Sequence, residues 1–493
     1  MADRRLAVLG LDAFPYWLLE KAREAGVASF IFNDKTIGAG KRLSCIPPVT
    51  PASWPSMMSG VNPGKHGIFS FLSFDRREKK AFFNTAAQLE HPRIHEILSY
   101  EGLRSLVVNP IPDFPLLPAS KAVIVSNLFF TPRPLSRPRG LHEKYFPSEW
   151  PPKYDLEFLE SYVEGVRALL EDQLRDPPPL TWVTLDYPDV VLHKDTRLFR
   201  DPSIHSSLWG RIDKLARLLY DNYGNLMIVS DHGFREFKVR VNVNDILYRE
   251  GYAVPSKEET EHLHEQEVFE ARGEEAKKIR VPMTLYKLLV KLRLEGVARK
   301  IALRILRFYG SKTGKKIYLK PGYSIDYERS RAFVPFTFAY GVYTNGADPR
   351  QVAAVLRRYK GLRVWLRGEV YNGPYAGRGP DVVVLGDHEA GYTLGPPRIV
   401  GVIYTRTDFA THDQWGILLH KMEDDSIDWD ALPLEVPNHL VGSLAMCHLR
   451  VPLPGDIDDR GLVERSCNSS IEYKDYNGKF RIAKRLALRG VKR

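Results

Sequence analysis

Three strand-length apolar runs, each opening onto acidic or histidine residues and separated by helix-patterned sequence, constrain this chain more than any other feature. Arg5 to Leu9 reads as a buried strand leading into Gly10-Leu11-Asp12. Leu180 to Leu185 leads into Asp186-Tyr187-Pro188-Asp189, and Asn225 to Ser230 leads into Asp231-His232-Gly233. Leu156, Leu159, Tyr162, Val163, Val166, Leu169 and Leu170 recur at helical spacing, as do Leu208, Ile212, Leu215, Leu218 and Leu219. Strands alternating with amphipathic helices build a mostly parallel sheet with helices on both faces, an α/β fold. Ligands of such sheets collect at the carboxyl ends of the strands, where these Asp and His residues fall.

A second stretch, Val49-Thr50-Pro51-Ala-Ser-Trp54-Pro55 continuing to Asn62-Pro-Gly-Lys65-His66-Gly-Ile68, carries a hydroxyl into a helix start. Threonine before proline predicts Thr50 at the helix cap and Pro51 at the first helical position. The helix then directs free amides and its positive end at Thr50, where an anion binds and a hydroxyl can attack phosphorus. Taken alone, a Thr-Pro helix start is a common structural device. Pro55, inside the helix, removes a backbone bond and predicts a kink.

Asp189 and His193 stand four apart, so one helical turn places both side chains on one face, a spacing shared by metal ligands and by surface ion pairs. Near the end, Thr411-His412 precedes Gly416 and another apolar run. Asp12, Asp189, His193, Asp231, His232 and His412 thus supply carboxylate and imidazole donors of the kind zinc-class ions prefer.

The ordered set resembles the type I phosphodiesterase and nucleotide pyrophosphatase branch of the alkaline phosphatase superfamily. The resemblance rests on Asp12, Val-Thr50-Pro-Ala-Ser-Trp, Asn-Pro-Gly-Lys-His66-Gly-Ile, Tyr-Pro-Asp189-x-x-x-His193, Ser-Asp231-His232-Gly-Phe and Thr-His412. It covers roughly residues 5 to 235 and 335 to 455. It implies an alkaline-phosphatase-like three-layer sandwich around a central mostly parallel sheet. It also implies two divalent ions, Zn2+ with Mn2+ as the alternative: one on Asp189, His193 and His412, the other on Asp12, Asp231, His232 and the Thr50 oxygen. Thr50 would attack phosphorus and form a phosphothreonine intermediate. Lys65 is a candidate contact for substrate phosphate, against the commoner reading of a solvated lysine, and His66 is assigned to holding the turn after the Thr50 helix. The asparagine that clamps phosphate in nucleotide pyrophosphatases has no counterpart in Phe69-Ser-Phe71-Leu-Ser-Phe74, so preference for diesters over monoesters stays open.

The expected activity is therefore metal-dependent hydrolysis of a small phosphate ester or nucleotide, by a phosphodiesterase or nucleotide pyrophosphatase. The alternatives are a phosphomonoesterase or phosphomutase of the same superfamily, and a non-catalytic binding scaffold. The filled ligand set speaks against the scaffold.

Composition sets the frame. At 493 residues, 44% apolar and 27% charged, the chain can bury a large core. No apolar run spans a bilayer, and the amino terminus lacks a signal-peptide pattern, so a cytoplasmic protein is expected. Three widely separated cysteines, Cys45, Cys447 and Cys467, suggest no disulfide framework. The net charge of +11 is local: fourteen Lys or Arg stand against Glu295 alone between Lys277 and Lys320. That run argues for a local anionic partner, substrate or surface, more than for general nucleic-acid binding. The expected organisation is a catalytic domain of 1–236 with 341–455, a basic, mainly helical cap at 237–340, and a charged tail at 456–493 packed on the surface. Within the cap, apolar residues from Leu285 to Phe308 predict two helices interrupted near Gly296.

Overall fold

The computed structural model describes residues 4–34, 38, 40–126, 134–146, 155–256, 277–281 and 317–491. Its centre is a nine-stranded sheet, numbered here in chain order: β1 Leu6–Leu11, β2 Lys41–Ser44, β3 Ser105–Val108, β4 Ala122–Ser126, β5 Leu135–Arg137, β6 Leu180–Leu185, β7 Asn225–Val229, β8 Trp415–Met422 and β9 Glu435–Pro437. The spatial order is β9-β2-β8-β7-β1-β6-β3-β4-β5. From β7 to β4 all neighbours are parallel, whereas β8 runs antiparallel to both β7 and β2. Every residue of β1, β6 and β7 is buried, as expected of central strands covered on both faces.

The main helices are α1 Thr50–Ser59, α2 Leu156–Gln173, α3 Ser206–Tyr223, α4 Leu440–His448 and α5 Asn477–Val491. Helices α2 and α3 pack together, as do α1 and α4. Asp155 caps α2 by accepting from Phe158 N, and Gly224, with φ of 66°, ends α3 in the left-handed conformation that glycine tolerates. With the sheet between the helices, the protein is a three-layer α/β sandwich, as expected.

A second hydrophobic core surrounds an antiparallel sheet of Ala332–Phe333, Gly341–Thr344, Val382–Gly386 and Leu362–Leu366, with helix Pro349–Leu356 on it. Val241, Ile246, Leu247 and Ile325 join this core with Val342, Val384 and Ile399, so it draws on both sides of the boundary expected at 340. Val49 and Ala52 of the α1 start also belong to it, whereas Trp54, Met57 and Met58 lie in the core of the large sheet. Helix α1 therefore bridges the two cores. Ile399 forms an isolated antiparallel bridge to Tyr323. Within 237–340 the described elements are mostly short strands plus helix Val243–Arg249, and strands Lys277–Val281 and Ile317–Pro321 pair in parallel. The two basic helices expected around Gly296 lie outside the described residues.

The segment expected as a tail is partly built into the fold, with Phe480 of α5 fully buried and Cys447 joined to Cys467 by a disulfide across a Cα–Cα distance of 6.1 Å. The wide sequence spacing of the cysteines did not suggest this pair; α4 and helix Arg460–Ser466 bring it together. Among the described residues no helix is long and apolar enough to cross a membrane.

Candidate active site

The site forms where β1, β6 and β7 end. Asp12 follows β1, and Asp231 and His232 follow β7. Beyond β6 the chain turns into the short helix Asp189–Leu192, whose His193 N donates to the Asp189 carbonyl at 3.1 Å, so the i, i+4 pair shares a face. His412 comes from a two-stranded ribbon, Ala410–Asp413 against Gly233–Glu236, in which it stands opposite Phe234.

Helix α1 places Thr50 against these residues, in a different way from that expected. Val49, extended at φ −150° and ψ 131°, occupies the cap, and its carbonyl accepts from Ala52 N and Ser53 N. Thr50 is thus the first helical residue and Pro51 the second. Its hydroxyl is released from capping and lies 3.2 Å from His232 Nε2. The helix runs on through Pro55 to Ser59.

Gly10 permits this arrangement. A Cβ there would meet the Trp54 ring at 2.4 Å, and the same indole donates from Nε1 to Asp12 Oδ2 at 3.4 Å. His66 holds the far end of α1: its Nδ1 accepts from Ile68 N, so Nε2 carries the proton and donates to Ser56 Oγ at 2.9 Å. Burial lowers its pKa to about 3, which keeps it neutral in this role.

Two groups of donor atoms converge. Asp189 Oδ1 lies 3.5 Å from His193 Nε2 and 3.7 Å from His412 Nε2, and the two imidazole nitrogens are 3.2 Å apart. His232 Nε2 lies 3.4 Å from Asp231 Oδ2 and 3.7 Å from Asp12 Oδ1. Within each group the donor atoms all fall within 4.8 Å of one another. Four ligands placed tetrahedrally about 2.0–2.1 Å from a zinc-class ion are separated by about 3.4 Å, so both groups have the right span.

The hydrogen bonds fit the same reading. His412 Nδ1 faces the Pro48 carbonyl at 3.0 Å and His232 Nδ1 faces the Gly233 carbonyl at 2.9 Å. A carbonyl only accepts, so each Nδ1 carries the proton and each Nε2 presents its lone pair inward. Asp12 Oδ1, Asp189 Oδ1 and Asp231 Oδ2 are buried without a hydrogen-bond partner. Burial raises the pKa of Asp12 well above its ordinary value, reinforced by the charges of Asp231 and Asp189. Burial likewise raises Asp231, against the opposing pull of His232. Asp189 goes the other way: although burial pushes it up, His193, His412 and His232 hold it below the usual carboxylate range. Burial, then the neighbouring His232, lowers His412 well below an ordinary imidazole. Carboxylates crowded in this way are costly in an apolar interior unless cations neutralise them, and the residues present suit two such cations.

One neighbour was not legible in the sequence. Phe338 stacks on His412 with centroids 4.7 Å apart and rings 5° from parallel, while His232 stacks on His412 at 4.1 Å. Phe338 and Tyr340 have φ of 58° and 45°, strained values for bulky side chains. The Tyr340 hydroxyl donates to the Pro48 carbonyl at 3.3 Å. The second core thus reaches the donor groups through a strained segment. Lys65 does not stand free as a phosphate contact: its ammonium donates to Asp458 Oδ1 at 2.6 Å and to the Asp456 carbonyl at 2.7 Å.

Known proteins resemble this chain in sequence and in fold. A family model described as type I phosphodiesterase / nucleotide pyrophosphatase matches residues 6–304. Among solved structures, phosphonoacetate hydrolase from Sinorhizobium meliloti 1021 in complex with phosphonoformate superposes with a TM-score of 0.57 at 16% identity, covering 91% of this chain and 96% of its own. Murine ectonucleotide pyrophosphatase / phosphodiesterase 5, an inactive variant in complex with AMP, gives 0.53 at 12% identity, with coverage of 94% and 100%. The human form of the latter gives 0.51 at 12%, with the same coverage. No curated protein matches by sequence at a significant level. The chain belongs to the type I phosphodiesterase / nucleotide pyrophosphatase family, hydrolases of phosphoric ester bonds within the alkaline phosphatase superfamily.

Proposed function

We propose that the protein is a two-metal phosphodiesterase or nucleotide pyrophosphatase in which Thr50 is the nucleophile. The observation that carries this reading is the position of the Thr50 hydroxyl, 3.2 Å from His232 Nε2 at the start of a ten-residue helix and beside two donor groups of the right span. Asp189, His193 and His412 would hold one divalent cation, and Asp12, Asp231 and His232 the other, with the Thr50 oxygen completing the second set. Zinc suits this mixture of imidazole and carboxylate, and manganese is the alternative. When bound, such cations offset charge on the phosphate oxygens and favour the ionised hydroxyl.

The chain's own groups do the rest. The dipole of α1 favours the charge of a phosphoryl oxygen beside Thr50; in the first turn Pro51 carries no amide and those of Ala52 and Ser53 already donate to the Val49 carbonyl. Thr50 Oγ forms a bond to phosphorus as the ester oxygen leaves, giving a phosphothreonine. Water then attacks the same phosphorus, releasing phosphate or a monoester and restoring the hydroxyl. His193, the exposed member of its group, stands on the side that solvent and substrate enter. Lys65, tied to Asp458, is not among the proposed substrate contacts.

Thr50→Ala tests the reading. With bis(p-nitrophenyl) phosphate and p-nitrophenyl phosphate as probes, turnover should fall by at least about a thousandfold, while metal content and thermal midpoint stay close to those of the parent. Chelation should abolish parent turnover, and zinc or manganese should restore it. Retention of turnover in Thr50→Ala within about tenfold of the parent removes Thr50 from the role. Hydrolysis of neither ester by the metal-loaded parent removes the phosphodiesterase reading.

A further inference from the structure

Helix α5, Asn477–Val491, turns Phe480 and Lys484 inward: Phe480 is fully buried, and Lys484 donates to the Leu89 carbonyl at 2.6 Å and pairs with Glu90 at 3.0 Å. At about 100° per residue, Ile482 and Leu486 fall on the opposite side of the helix. They are 65% and 62% exposed, the two most exposed large hydrophobic side chains of the described chain. Lys479 and Arg489 lie one turn before and after them on nearly the same line, and Arg481 and Arg485 flank them. The helix contains no carboxylate. Among the described residues, Lys484 is its only cation in an ion pair, and Lys479 and Arg481 approach only aromatic rings, those of Tyr100 and Tyr375.

We infer that this outer face of α5 is a docking surface for an anionic lipid bilayer. Two aliphatic side chains one turn apart, with Lys479 and Arg489 in line with them and Arg481 and Arg485 along one side, are what an interfacial helix uses. The aliphatic groups enter the headgroup boundary while the arginines and lysine meet lipid phosphates and carboxylates. Charge decides against the nearest alternative occupant within the chain. The segment from Lys277 to Lys320 is itself strongly basic and would be repelled by this face. A second copy would bring its own four cations onto these four. The inward face is already committed to the protein, so binding needs no unfolding of α5.

Sedimentation of the full-length protein with vesicles tests this. The protein should pellet with phosphatidylcholine vesicles that contain phosphatidylserine, not with phosphatidylcholine alone, and rising sodium chloride should release it. Ile482→Glu combined with Leu486→Glu should reduce the bound fraction by at least about tenfold and leave hydrolysis of a soluble ester unchanged. Arg481→Gln, Arg485→Gln and Arg489→Gln together should remove the salt-sensitive part. Failure to bind, equal binding to neutral vesicles, or unchanged binding of the Ile482→Glu/Leu486→Glu protein would each overturn the inference. The last outcome would move the contact to another basic segment. A concentration-dependent dimer that the glutamate variants dissolve, in protein that ignores vesicles, would make a second copy the occupant.

Discussion

Asp113 shows how a single buried group contributes to the pH response of the fold. Both of its carboxylate oxygens are buried without a hydrogen-bond partner, and burial raises its pKa to about 7 against the lowering influence of Arg93. In the unfolded chain it titrates near 3.8. Between about pH 4 and about pH 7 the folded protein therefore holds a proton that the unfolded chain has lost, so stability from this group falls as pH rises through that window. Asp113→Asn stays neutral throughout. Its stability relative to the parent should improve between about pH 5 and pH 8, by on the order of 1–3 kcal/mol, in urea unfolding at the two pH values. Parallel curves would mean that Asp113 is not protonated in the folded state. At this scale the sequence was informative about the donor residues, because Asp and His at strand ends and at i, i+4 spacing are local patterns. It could not show Asp113, Phe338 or the engagement of Lys65, since each depends on which distant side chain comes to rest beside it.

At the scale of elements, the contact between β1 and α1 positions Thr50, the proposed nucleophile. Gly10 gives the Trp54 ring its place, and that ring sets how closely the helix carrying Thr50 approaches Asp12. Gly10→Ala would put a methyl 2.4 Å from a ring atom in a packed core. The protein should lose about 1–3 kcal/mol of stability and a larger share of its turnover, because α1 must shift. Pairing Gly10→Ala with Trp54→Leu should recover stability; a double variant no more stable than the single would place the strain elsewhere. The strands and helices around this contact were readable from periodicity, since a buried parallel strand is a continuous apolar run and an amphipathic helix repeats every three to four residues. The cap position was misplaced by one residue because the carbonyl of Val49, not the Thr50 side chain, receives the first amides. The second core was hidden in the sequence: its strands are short, and it gathers Val241, Ile246 and Leu247 with Ile325, Val342 and Val384 from the two sides of the stretch between 257 and 316.

For the molecule as a whole, the carboxy-terminal residues are structural. The Cys447–Cys467 disulfide fastens helix Arg460–Ser466 to α4, which in turn packs on α1. Closing a loop of 20 residues restricts the unfolded chain by about 3 kcal/mol. Cys447→Ser with Cys467→Ser should lower the thermal midpoint, and a reductant should lower that of the parent but not that of the variant. A midpoint insensitive to both would deny the bond a part in stability. Such bonds are rare in reducing compartments outside hyperthermophiles, so the pairing weighs against the cytoplasmic expectation for a mesophile. The sheet order carries a consequence for how the protein is made. Strand β2 pairs only with β8 and β9, and β7 pairs on one side with β8, so a chain still emerging from the ribosome cannot add β2 to the sheet until residues beyond 415 are available. Thr50 follows β2 closely, and His412 immediately precedes β8. Thr50 and His412 are therefore brought together only at the end of synthesis, and a nascent chain, however much of its sheet has formed, holds no finished site.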